Sequence, residues 1–244
     1  DLNAVTLNSS SAFTANASGH IASFVQNNGT STFAGAGLAF DAIDIRGGTV
    51  NYNAALALPS SLLRVAGHTA NLNADQGQTR IEVVSGTLNL NLSSLSSDIA
   101  LSGGTLNVAS ATAASGDFDW TGGNIGGGGT FTLSGVLNVG GGSNSFGLND
   151  TTLVHTNASG NSRIAKTGGY FYLSGSSELR NAAGAVLTVD TSGGNFGTYY
   201  SSGAGGTLHN QGTLNKTGSG ALYIYNPTRL QQAGQLNLQQ GSII

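Results

Sequence analysis

Gly86-Thr87-Leu88-Asn89-Leu90-Asn91-Leu92 is the stretch whose reading decides the fold. Successive side chains of a strand point to opposite faces, so Leu88, Leu90 and Leu92 share one face while Thr87, Asn89 and Asn91 share the other. The stretch predicts a half-buried strand, leucines inward, entered through a glycine that lets the backbone bend. The phrase returns as Gly48-Thr49-Val50-Asn51-Tyr52, Gly104-Thr105-Leu106-Asn107-Val108, Gly135-Val136-Leu137-Asn138-Val139, Gly212-Thr213-Leu214-Asn215-Lys216 and Gly234-Gln235-Leu236-Asn237-Leu238. A chain that repeats one turn and one strand is built from a repeated unit.

The intervals set the size of that unit. Gly48 to Gly86 is 38 residues, twice 19; Gly86 to Gly104 is 18, and Gly104 to Gly123 is 19. Further along, relatives at Gly175, Gly184, Gly206 and Gly220 are less evenly placed, and Gly206 to Gly212 is only 6, which implies several short strands per unit. Coils of about 18–22 residues, each with two or three strands of about 3–5 residues, predict an all-β parallel β-helix. Stacking at about 4.8 Å lines up equivalent positions, giving leucine stacks inside and Asn/Thr ladders outside. A sandwich or barrel would need tight hairpins, yet Asn28-Gly29 is the one such dipeptide found and Asp-Gly does not occur. Residues 1–46 fit the repeat poorly and are expected to form an N-terminal cap or irregular coils, with 47–244 as one continuous solenoid. The apolar positions of Ala54 to Val65 allow a short helical turn or a capping loop.

Composition narrows the function. Charged residues make up 8% of the 244, against about a quarter in an average domain, and 39 glycines with many Ser, Thr and Asn replace them. The net charge of -3 and scattered basic residues give no footprint for nucleic acid or an anionic membrane. Cysteine is absent, which removes disulfide and thiolate chemistry. No apolar run reaches the roughly 18–20 residues of a membrane span, and the start lacks a leader pattern, so the chain reads as a mature fragment or an excised segment.

Several stretches carry a family resemblance: Asp119-Trp120-Thr121-Gly122-Gly123-Asn124-Ile125 with the Gly126 to Gly129 run, Thr130-Phe131-Thr132-Leu133-Ser134-Gly135-Val136-Leu137-Asn138-Val139, and Leu208-His209-Asn210-Gln211-Gly212-Thr213-Leu214-Asn215-Lys216-Thr217-Gly218. They resemble repeats of large bacterial exoproteins, the passenger regions of autotransporters and the filamentous-haemagglutinin-like adhesins. Over Gly47 to Gln240 the resemblance implies a single-stranded right-handed β-helix and a secreted or surface-attached segment used in adhesion or aggregation. It carries no site, because that family shares a coil rather than a catalytic motif.

Asp117 and Asp119 lie two apart on one strand face beside Trp120 and read either as a solvated edge next to a partly buried tryptophan or as the pair to test for glycan cleavage, with the tryptophan as a sugar-stacking surface. Asp41, Asp44 and Arg46 read as a structural ion pair rather than a calcium site, which needs six to eight oxygens. His20, His68, His155 and His209 are too dispersed for zinc. Gly126 to Gly129 and Gly140-Gly141-Gly142 read as turns, and Ser145 and Ser159 as surface serines. Tyr170 with Tyr172, and Tyr223 with Tyr225, share faces and form either a tyrosine stripe for sugars or partners or part of the core. Thr30-Ser31-Thr32 and Thr130-Phe131-Thr132 are isolated Thr-x-Thr instances, too few for an ice-binding array.

These readings converge on a non-enzymatic structural and adhesive segment without cofactor or metal, extracellular or at the bacterial outer-membrane surface. Its expected partners are a host or neighbouring cell surface, a glycan or another copy of itself, with neither nucleic-acid binding nor membrane insertion. The rival expectation is a β-helix enzyme or carbohydrate-binding module acting on an extracellular polysaccharide.

Overall fold

A computed structural model describes residues 1–8, 10–58, 62–140, 146–165, 170–200 and 203–244. Gly141, Gly142 and Ser145, expected above as turn and surface positions, lie outside the described residues. The described residues form strands and turns with no helix, including around Leu56, which is buried in an irregular segment before the strand Leu62–Val65.

The strands assemble into sheets of twelve, nine, seven and three members, and every pair of named strands is parallel. Parallel neighbours cannot be joined by a hairpin, so each connection must carry the chain away and bring it back. From Gly86 onward the route is cyclic. Gly86–Leu90 lies in the twelve-stranded sheet, Ser94–Leu95 in the seven-stranded, Asp98–Leu101 in the nine-stranded, and Thr105–Val108 returns to the first beside Gly86–Leu90. This order is consistent with a parallel β-helix.

Residues 1–46 already take part. Ala12–Ala15 and Thr30–Phe33 begin the twelve-stranded sheet, while Val5–Leu7, His20–Gln26 and Ala39–Ile45 form the separate three-stranded one. The N-terminal units therefore alternate between two sheets instead of visiting three.

Register in the twelve-stranded sheet gives the true period. Thr49 pairs Thr69, Thr69 pairs Thr87, Thr87 pairs Thr105 and Thr105 pairs Asn124, offsets of 20, 18, 18 and 19 residues. Beyond that, Asn124 pairs Gly147, Gly147 pairs Tyr172 and Tyr172 pairs Tyr199, offsets of 23, 25 and 27. The later units thus exceed the expected 18–22 residues, because their connections lengthen while the strands stay short. The repeated phrase also changes place. Its copies at Thr49, Thr87 and Thr105 lie in the twelve-stranded sheet, whereas those at Leu137, Thr213 and Gln235 lie in the nine-stranded one.

In-register stacking makes the core. Val50, Ala70, Leu88, Leu106, Ile125, Leu148 and Leu173 form one inward column, each without exposed surface. Phe118, Trp120, Phe131, Phe146 and Phe171 fill the middle of the interior, with Trp120 centred 4.8 Å from Phe146 and 5.3 Å from Phe171. Fully burying side chains of this size stabilises by about 1.5–3 kcal/mol each.

Outward positions on the same strands stack as regularly. Thr30, Thr49, Thr69, Thr87 and Thr105 form one column. Beside it, Thr32, Asn51, Asn71, Asn89 and Asn107 form a second, in which each asparagine amide donates to the side-chain oxygen of the residue before it at 2.5–3.0 Å. A third, shorter ladder runs from Asn91 to Asn73 at 2.8 Å and from Asn73 to Asn53 at 2.5 Å.

Candidate functional site

The outer face of the twelve-stranded sheet changes character after Asn124. Where its N-terminal half shows Thr and Asn, its C-terminal strands carry Tyr170, Tyr172, Tyr199 and Tyr223, with Tyr200 and Tyr225 directly after two of those strands. Tyr172 pairs Tyr199 directly, and Tyr170 and Tyr223 flank Gly197 on neighbouring strands. Tyr199 is the hub, with ring centres 5.2 Å from Tyr170, 5.3 Å from Tyr200, 5.5 Å from Tyr225 and 6.0 Å from Tyr172. Gly197 makes room for this cluster, since a Cβ there would stand 2.8 Å from Cε2 of Tyr225. Tyr170, Tyr199 and Tyr225 remain 37–43% exposed. These tyrosines are therefore outside the core, and the patch offers aromatic ring faces that each carry a phenol hydroxyl.

A second surface is a groove of about 510 Å³ on the outer face of the nine-stranded sheet. Small residues, Ala100, Ser102, Gly140 and Ala165, contribute to its lining, and Arg80, Glu82, Asp119 and Arg163 supply charge. Arg80 reaches Asp119 at 3.2 Å and Glu82 at 3.5 Å, Asn138 donates to Asp119 at 3.1 Å, and Arg163 pairs with Asp190. Hydrogen bonds from Ser192, with Arg163 alongside, hold the Asp190 carboxyl below its ordinary value.

The expected trio at this strand separates. Asp119 enters the groove. Asp117 serves the backbone, accepting from the Val136 amide at 2.7 Å while its own amide donates to Asp98 at 2.8 Å. Trp120 corrects the expectation of a sugar platform: as the strand neighbour of Asp119 it points to the opposite face, is 0% exposed, and its indole N–H donates to the Gly123 carbonyl at 3.4 Å. Asp44 pairs with Arg46 at 2.7 Å, and Asp41 meets His20 at 2.8 Å.

The interior holds a polar network that the spacing of histidines did not suggest. His155, Asn181, Asn210 and Gln232 occupy one column of the seven-stranded sheet, the first three fully buried. Asn181 donates to Asn210 at 2.8 Å and to the Thr213 carbonyl at 2.9 Å, so its oxygen faces His155 Nδ1 at 2.9 Å. His155 Nδ1 therefore carries the proton, and Nε2 accepts from the Ser162 hydroxyl at 2.7 Å. Ser162 Oγ in turn accepts from the Leu137 amide at 3.0 Å. Burial pushes the His155 imidazole below its ordinary value, against the opposing pull of Asn181. Hydroxyl, imidazole and amide stand in the order of a nucleophilic triad, but none exposes surface to a substrate, so the network joins strands rather than attacking bonds.

Two further polar clusters are structural in the same sense. Glu178 is pushed up by burial but pulled lower overall by Arg180 at 2.6 Å and His209 at 2.7 Å. Lys216 is fully buried, and its ammonium donates to the carbonyls of Thr217, Gly218 and Gln240 at 2.9–3.0 Å. Burial lowers its pKa, opposed by the charge of Asp190.

Among the described residues no cluster of three or more His, Asp and Glu is placed to hold a metal ion, and no helix is long and apolar enough to cross a membrane. The groove's partners were readable in principle, since Arg80 and Asp119 are 39 residues apart, about two repeat units. His155 and Asn181 are 26 apart, one of the longer units, which the early period of 18–19 could not anticipate.

The chain is an all-β repeat protein of long parallel sheets, with outward columns as its available surfaces. No protein-family model, curated protein or solved structure matches it.

Proposed function

We propose that the chain is one continuous right-handed parallel β-helix, a non-enzymatic segment of a large bacterial surface or secreted protein that acts as stalk and binding surface for cells or glycans. The cyclic order of three sheets and the unbroken inward columns support the rod, and parallel crossovers are right-handed in nearly all sheets. The observation that carries the binding role is the tyrosine cluster around Tyr199. Large apolar groups left on a surface in contact with one another mark interaction sites, and the apolar face of a pyranose stacks on such rings while its hydroxyls reach the phenol oxygens. Secretion and adhesion follow from the resemblance of the repeats to bacterial exoproteins.

The test is a glycan array followed by calorimetry with the full chain and with Tyr199→Ala and Tyr225→Ala. Truncating a central ring should weaken binding by about 1–3 kcal/mol, roughly five- to 150-fold. Absence of glycan or cell binding by the parent would reduce the segment to a spacer, and unchanged binding by both variants would remove the tyrosine cluster as its binding site.

The convergence of Arg80, Glu82 and Asp119 on one groove favours a second reading, in which that groove processes a polysaccharide. Asp119→Asn and Glu82→Gln would then abolish glycan cleavage, and a parent that cleaves nothing sinks this alternative.

A further inference from the structure

We infer that the N-terminal half of the twelve-stranded sheet is a water-ordering face that binds the surface of ice. The sequence offers only isolated Thr-x-Thr pairs, but register supplies what composition hid. The column from Thr30 to Thr105 and the column from Thr32 to Asn107 run side by side over five consecutive strands. Hydroxyl or amide groups therefore repeat in two directions, at about 4.8 Å from strand to strand and about 6.7 Å between positions two apart along a strand. Both spacings lie close to oxygen repeats of hexagonal ice.

Three properties select ice over other occupants. Charge complementarity comes first: neither column contains an ionisable residue, whereas an ion would impose its own radial hydration shell. Every group there both donates and accepts, as each lattice water does. Second, the face is ordered in advance. The asparagine ladder at 2.5–2.8 Å fixes the amides, so little side-chain entropy is lost on docking. Each ladder amide still keeps one N–H that the ladder does not use, and each threonine adds a methyl group that excludes disordered water. Third, the two columns contain no aromatic ring, and glycan stacking needs one; the rings begin farther along the same sheet, at Tyr170 and Tyr172. The inference is independent of the tyrosine patch, and its test separates the two.

Single ice crystals grown in purified full chain should become faceted, and the protein should partition into a slowly growing ice front. Thr69→Tyr and Thr87→Tyr place bulky outward rings in strands that tolerate them. Both variants should lose faceting and partitioning while keeping the parental urea midpoint. Tyr199→Ala should retain both activities even if it loses glycan binding. Round, buffer-like crystals in the parent, or full ice activity in Thr69→Tyr with Thr87→Tyr, overturn the inference. Retention on crystalline cellulose that these variants abolish, without an ice effect in the parent, overturns it too and reassigns the face to a flat polysaccharide.

Discussion

Removing the Asn181 side chain tests what holds the C-terminal half together. Asn181 is fully buried and satisfies three groups, His155 Nδ1–H and Asn210 Oδ1 in the closed interior and the part-buried Thr213 carbonyl. Asn181→Ala orphans the two fully buried groups at about 1–3 kcal/mol each and takes one bond from the Thr213 carbonyl, so the loss should reach about 3–5 kcal/mol. Asn181→Asp keeps the volume but puts a carboxylate opposite two acceptors, and it should cost at least as much. Asn89→Ala is the reference, a half-buried ladder residue whose partners can turn to solvent, with an expected loss of about 0.5–1.5 kcal/mol. Urea unfolding reads all three as midpoint shifts at constant slope. Equal shifts for Asn181→Ala and Asn89→Ala, or a neutral Asn181→Asp, would refute the claim that the interior column works through hydrogen bonds instead of volume.

Acid should weaken the fold through its buried histidines. His155 and His68 are both pushed below 6.5 by burial, so the folded state resists protons that the unfolded chain accepts. Their contribution is complete above the unfolded value and is lost as pH falls from about 6.5 through the folded values. Thermal midpoints should therefore drop between about pH 7 and about pH 5, and His155→Gln should flatten that drop; an unchanged acid limb would count against it. Glycine turns should differ by their surroundings. Gly86 has φ +84° and a Cβ there would lie 2.3 Å from the His68 carbonyl oxygen, whereas Gly37 at φ +72° has nothing within 4 Å. Gly37→Ala should cost only the left-handed penalty of about 1–2 kcal/mol, and Gly86→Ala clearly more, by the same urea assay.

The sequence made some of this legible because period-two alternation and glycine spacing are local signals. Leu88, Leu90, Leu106 and Val108 are buried where alternation placed them, and their outward neighbours stack as Asn and Thr ladders. What escaped depended on register between distant units. Arg80 meets Asp119 only after two units, and His155 meets Asn181 across one lengthened unit. Trp120 was misread for a simpler reason, since one step along a strand moves a side chain to the other face.

Register also explains why one sheet can carry two different surfaces. Inward positions are constrained by their neighbours above and below, because a change of volume there is felt at once in a close-packed interior. Outward positions answer only to hydrogen bonding and solvent, so a column can change identity without disturbing the stack beneath it. The threonine column becomes Asn124, then Gly147, then Tyr172 and Tyr199, while the inward column beside it stays Leu106, Ile125, Leu148 and Leu173. Gly147 marks the exchange: a Cβ there would sit 3.1 Å from Cβ of Tyr172 and 3.2 Å from the Asn124 side-chain oxygen, so the smallest residue stands between the last amide and the first ring. A polar lattice and an aromatic patch can thus share a backbone, and each can be altered alone. That is why Thr87→Tyr and Tyr199→Ala are expected to affect different ligands while leaving the same core intact.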